Sequence, residues 1–102
     1  MKEVEIKGAE AGKLTVALSG DIDSGNADEF YSDVISAYRQ NPADIVFDCA
    51  ELNFIDSTTL GTFVKILKNA KTDGHNIILR NLQQKIKKLF MISSLNTIME
   101  IE

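Results

Sequence analysis

Asn53-Phe54-Ile55-Asp56-Ser57-Thr58-Thr59-Leu60-Gly61 is the stretch where the chain changes its rhythm. Upstream, Ile45-Val46-Phe47 is a short continuous apolar run of β-branched and aromatic residues. Such a run suits a central strand covered on both faces. Ala50 to Ile55 carries the chain onward. From Leu60 the apolar residues recur at Leu60, Phe63, Val64, Leu67 and Ala70, with Lys65, Lys68 and Asn69 on the other side. That is one face of a helix. Asp73-Gly74 ends it, with Gly74 as a left-handed cap. The quoted stretch is therefore a strand-to-helix junction, and Asp56, Ser57 and Thr58 are all helix-capping residue types.

Working outward, the pattern repeats. Val4 and Ile6 alternate with charged residues, and Leu14, Val16 and Leu18 alternate with Thr15, Ala17 and Ser19. These are two half-buried strands of a hairpin, turning at Gly8 to Gly12 and ending at Gly20. Asp21-Ile22-Asp23-Ser24-Gly25-Asn26 is a loop of turn formers. Ala27, Phe30, Tyr31, Val34, Ile35 and Tyr38 then mark a helix that Asn41-Pro42 stops. Past Gly74, Asn76 to Arg80 is a strand, Ile86, Leu89 and Phe90 lie on a third helix, and Leu95 to Ile101 forms a short terminal element. The order ββαβαβα plus a tail predicts an α/β fold in one domain, residues 1–102. Its sheet is mixed, and parallel in the later part.

Composition excludes several functions. The chain has 102 residues, 44% hydrophobic and 25% charged, with a formal charge of −4. The acidic balance argues for solubility and against anionic partners. Lys85, Lys87 and Lys88 read as a solvated helix face, not a phosphate-backbone site, so no nucleic acid is expected. The alternating Met1 to Lys7 is no signal peptide, and no stretch is long and apolar enough to span a bilayer. A cytoplasmic protein without membrane association is the expectation, and a monomer is the default. Cys49, the single cysteine, sits in an apolar run and reads as a small buried residue.

Enzyme chemistry finds little to work with. One cysteine and one histidine give no zinc-ligand spacing, and Asp21 and Asp23 lack the calcium-loop pattern. No metal site is expected. Neither phosphate-binding glycine motif occurs. A Ser-His-acid triad would need His75 beside Ser57, yet the two fall at opposite ends of one helix, roughly 25 Å apart at about 1.5 Å per residue. What remains is the junction. Helix-start N–H groups converge there and the dipole is positive. A serine at that point tolerates a phosphate, although capping alone also explains such a cluster.

Phe47-Asp48 followed by Leu52 to Gly61, together with Gly20-Asp21-Ile22-Asp23, resembles the signature of STAS domains (sulfate transporter and anti-sigma factor antagonist). The order of elements matches over nearly the whole chain. The resemblance implies a STAS-like mixed sheet of four to five strands packed with three to four helices. A lone domain of this length is similar to bacterial anti-sigma factor antagonists. There the serine after the motif aspartate, here Ser57, is the phosphoacceptor. The unphosphorylated form binds an anti-sigma factor that is also a serine kinase and frees the sigma factor. Phosphorylation dissolves the complex, and a PP2C-type phosphatase resets it.

The same resemblance implies partner contacts from Asp21, Asp23, Ser24, Asn26, Asp56, Ser57, Thr58 and Thr59, with no cofactor and no catalysis by this chain. Asp23 is alternatively an Asx-turn residue. Many relatives read D-S-S-G-L-G here. Thr59 replaces that glycine, and it is expected to narrow the approach to Ser57 and to offer a competing hydroxyl. The alternatives are a STAS subunit of a stressosome-like scaffold or of a lipid-transport complex, without a serine-phosphorylation cycle, and more distantly a small ligand-binding domain.

Overall fold

A computed structural model describes residues 1–102. Strands β1 (Val4–Glu10) and β2 (Lys13–Ile22) form the hairpin, followed by helix α1 (Ala27–Gln40) and strand β3 (Asp44–Ile55). Helix α2 (Ser57–Thr72), strand β4 (Ile77–Arg80) and helix α3 (Gln84–Ile92) come next. A 3₁₀ turn (Leu95–Thr97) and strand β5 (Glu100–Ile101) finish the chain. The sheet runs β1-β2-β3-β4-β5, antiparallel only between β1 and β2.

Each parallel strand is laid down beside its predecessor on the same side. Right-handed crossovers in one direction put every helix on one face of the sheet. The aromatic core agrees. Phe63 of α2 meets Phe30 of α1, Phe47 of β3 and Phe90 of α3 edge-on, with centroids 5.1 to 5.4 Å apart. Leu14, Val16, Ile45, Phe47, Ile77 and Leu79 form the sheet's floor beneath them. The expectation that Ile45-Val46-Phe47 is covered on both faces is thus corrected, because helices pack on one side only. Val46 points the other way and is still buried, between its register partners Thr15 and Ile78.

Two boundaries moved. The hairpin turns at Ala11-Gly12, both with positive φ, between the paired Glu10 and Lys13. That is the turn type whose twist matches the strands. Gly8 sits instead beside a bulge in β1, where the register slips between Ile6 and Gly8. The second change is larger. β3 continues to Ile55 and β2 to Ile22, so Ala50 to Ile55 is strand and not connection. Register slips between Ala17 and Ser19 and between Gly20 and Asp21 each insert one extra residue in β3. The bulges change the burial period of β3 from two to three, with Cys49, Leu52 and Ile55 inward.

The core accounts for Cys49. It is wholly buried, and burial pushes its thiol up to about 12. It stays protonated and packs as a small apolar residue.

Candidate functional site

The parallel pairing of β2 and β3 brings their carboxyl ends together, Ile22 beside Ile55. The turn after β2 and the junction after β3 therefore meet. In α/β sheets this edge is where functional loops gather. No bound group is needed to hold the two loops, because Asp56 does so.

Asp56 is the N-cap of α2, with extended backbone at φ −119° and ψ −175°. One carboxylate oxygen, Oδ1, accepts from the Thr59 N–H at 3.0 Å, which closes the helix start. The other, Oδ2, accepts from the Ser24 N–H at 3.0 Å. The amides, that of Thr59 foremost, hold the Asp56 carboxyl below the usual carboxylate range. It is ionised at neutral pH.

The turn that receives this clasp is built from its own side chains. Asp23 Oδ1 accepts from the Gly25 N–H at 2.9 Å, an Asx turn. Asn26 Oδ1 accepts from the Asp23 N–H at 2.8 Å, and Asn26 Nδ2 donates to the Asp21 carbonyl at 3.0 Å. Asn26 occupies the N-cap position of α1 yet makes no capping bond, because both ends of its amide hold the turn. The structure thus brings Asp21, Asp23, Ser24 and Asn26 to Asp56, Ser57 and Thr58. Asp21, Ser24, Ser57 and Thr58 are exposed, while Asp23, Asn26 and Asp56 are half-buried.

Thr59 departs from expectation. It is 0% exposed, and its hydroxyl donates to the Ile22 carbonyl at 2.5 Å, with Asp56 Oδ1 3.0 Å away. It points into the junction, so it neither crowds Ser57 nor offers a competing hydroxyl, and it contacts no partner directly. A β-branched residue fits where the resembling signature has glycine because it binds the end of β2 from inside. The site's side-chain hydrogen bonds run through Asp56, Thr59, Asp23 and Asn26. None of them uses the hydroxyl of Ser57.

Two neighbours were not singled out from sequence. Phe54 is 49% exposed, just past the second bulge and in register with Asp21. Gly61 lies one turn beyond Ser57 on the same exposed helix face, and a Cβ added there would meet nothing within 4 Å. A helical glycine costs about 1 kcal/mol relative to alanine. No packing within this chain requires it. In the sequence it stood at the end of the family signature and interrupted a strong helical pattern.

His75 follows the far end of α2, with the 16-residue helix between it and Ser57. No three His, Cys, Asp or Glu side chains gather in a metal-ligating group. No helix is long and apolar enough to cross a membrane.

Comparison with known proteins agrees with this fold. Residues 3–102 match the family model described as the STAS domain. The anti-sigma-B factor antagonist of Bacillus subtilis is 31% identical over 88 residues, covering 86% of this chain and 80% of the relative. That of Listeria monocytogenes is 27% identical over 100 residues, covering 97% and 87%. Among solved structures, the unphosphorylated form of the anti-sigma factor antagonist SpoIIAA superposes with a TM-score of 0.76 at 16% identity, covering 97% of this chain and 86% of that one. The phosphorylated form from Bacillus gives 0.75 at 19% identity, covering 97% and 90%.

Proposed function

The chain belongs to the STAS domain family, and from that premise we propose that it is an anti-sigma factor antagonist switched by phosphorylation of Ser57. The relatives bearing that name support the reading. The observation that carries it is local. Ser57 is exposed at the first position of α2, and the residues around it are fastened by the Asp56 clasp.

The unphosphorylated protein binds an anti-sigma factor that is also a serine kinase, and so frees a sigma factor. The contact surface is the β2–α1 turn together with the start of α2: Asp21, Ser24, Ser57, Thr58, the bare face at Gly61 and the Phe54 ring. This chain contributes binding, and its partner contributes ATP chemistry. A PP2C-type phosphatase restores the free hydroxyl, all in the cytoplasm.

Phosphorylation adds about −1.5 to −2 charges and three acceptor oxygens. Helix-start N–H groups tolerate that charge on this side of the interface. The ionised Asp56 beside it, with Asp21 and Asp23 in the turn, makes the surface strongly negative. A partner surface matched to a neutral hydroxyl then loses its fit through repulsion and unpaired desolvation. No rearrangement of the fold is required.

The test is incubation with the kinase-type anti-sigma factor of the same organism and ATP, followed by mapping of phosphate by mass spectrometry. One phosphate on Ser57 is expected, with none on Ser57→Ala. Absence of phosphate from Ser57, or equal labelling of Ser57→Ala, would sink the assignment. Binding persists in Ser57→Ala and falls about tenfold or more in Ser57→Asp if charge is the switch.

A further inference from the structure

The formal charge of −4 conceals a separation of charge. Residues 1–56 carry four Lys or Arg against twelve Asp or Glu, whereas residues 57–102 carry seven against three, Asp73, Glu100 and Glu102. Strands follow one another across the sheet in chain order, so position in sequence is also lateral position in the molecule. The side built from β1, β2 and α1 is acidic. The side built from α2, β4 and α3 is basic. The net charge that argues against anionic partners is therefore not the charge of that second side.

A groove opens on the basic side. Val64, Leu67, Lys68 and Lys71 fall at i, i+3, i+4 and i+7 and so form one stripe of α2. With Thr72 and Ile98 they line a volume of about 550 Å³. Leu67 is buried and Val64 half-buried, while Ile98 on the opposite wall remains 45% exposed. Lys68 and Lys71 are exposed and enter no ion pair. Two acidic groups lie nearby. Asp73 accepts the Tyr38 hydroxyl at 2.7 Å, and Glu100 stands beyond Lys71, on the adjoining surface with Thr97 and Met99.

An apolar trough flanked by two unpaired ammonium groups complements a helix whose apolar stripe is edged with carboxylates. We propose that the groove between α2 and the Leu95–Thr97 turn docks an acidic amphipathic helix of a partner protein. Leu67 and Val64 lie recessed between the lysines, which suits side chains inserted by a partner helix, whereas a lipid surface takes protruding apolar side chains. Lys71 is roughly 20 Å from Ser57 along the helix, at about 1.5 Å per residue. The groove is therefore a second docking surface, and it stands independently of any phosphorylation at Ser57.

The experiment is an NMR titration of the ¹⁵N-labelled protein with a helical peptide of about 18 residues. The peptide carries leucines at i, i+3, i+4 and i+7, flanked by glutamates. Shifts centred on Val64, Leu67, Lys68, Lys71 and Ile98 are expected. The double variant Lys68→Glu/Lys71→Glu weakens binding about tenfold or more. A lysine-flanked peptide binds the wild type as poorly but regains affinity for that variant. Unchanged Ser24 and Thr59 amide shifts show that the variant is folded. The proposal is overturned if neither peptide binds, if both bind alike, or if the shifts fall elsewhere. Adsorption to vesicles of phosphatidylcholine and phosphatidylglycerol at these residues, in place of peptide binding, overturns it too.

Discussion

The two ends of α2 are closed by different means. At the carboxyl end the closure is made by backbone. Gly74, at φ +80°, lets its N–H reach the Lys71 carbonyl at 3.0 Å and lets the His75 N–H reach the Ala70 carbonyl at 2.9 Å. These are the two bonds of a Schellman motif. Around it Tyr38 meets His75 edge-on and donates to Asp73. Burial, with that carboxylate beside it, pushes the Tyr38 phenol up to about 12.

At the amino end the closure is a side chain, and the same carboxylate also holds a turn 32 residues earlier. A backbone closure serves its own helix and nothing else. A side-chain closure can be shared. Sharing is what places Ser57 on a platform made of two loops, so that a change at one hydroxyl alters a surface contributed by both.

The contrast can be broken from either end. The largest effect belongs to Thr59→Val, which keeps the shape but leaves the buried Ile22 carbonyl unpaired. A loss of about 1–3 kcal/mol is expected in urea unfolding. A loss near zero would mean that the Asp56 clasp alone holds the junction. Gly74→Ala comes next. A Cβ there meets no neighbour within 4 Å, so the cost is conformational, about 1–2 kcal/mol, and Ser57 chemistry is untouched.

Gly61→Ala has the opposite sign. It stabilises the free protein by up to about 1 kcal/mol and weakens partner binding. A gain in both would remove Gly61 from the contact face. Ser57→Ala changes stability by less than about 0.5 kcal/mol, because its hydroxyl holds nothing.

The subtlest test is acid titration of the Ser24 amide shift. The Asp56 carboxyl is depressed in the folded state. Its stabilisation is therefore fully present above the unfolded value of about 3.9 and fades as pH falls through the lower folded value. The Ser24 shift should move only below the usual carboxylate range, and a midpoint at an ordinary carboxylate value would deny the clasp.

Much of this is legible in the sequence. The helices α1 and α2, with Phe30, Val34, Phe63 and Leu67 at helical spacing, needed only their periodicity. Juxtaposition of the two motifs follows from parallel strands that end side by side. The second half of β3 was not legible. Its two bulges replace strand alternation with a spacing of three, and Cys49, Leu52 and Ile55 then match neither simple template. The inward turn of Thr59 was equally hidden. Its partner is the carbonyl of Ile22, 37 residues away, and a backbone oxygen leaves no mark on a sequence. The uneven spread of charge was passed over for a different reason. A net value sums over the molecule, while partners meet a face.

The strand order has a consequence for how the protein comes into being. Every strand after the hairpin joins an edge that its predecessor has just completed. A chain leaving the ribosome amino end first can extend the sheet by one strand and one helix at a time, with no earlier pairing reopened to admit a later strand. Ser57 follows the third of five strands, so by then the β2–α1 turn that Asp56 clasps has already been made.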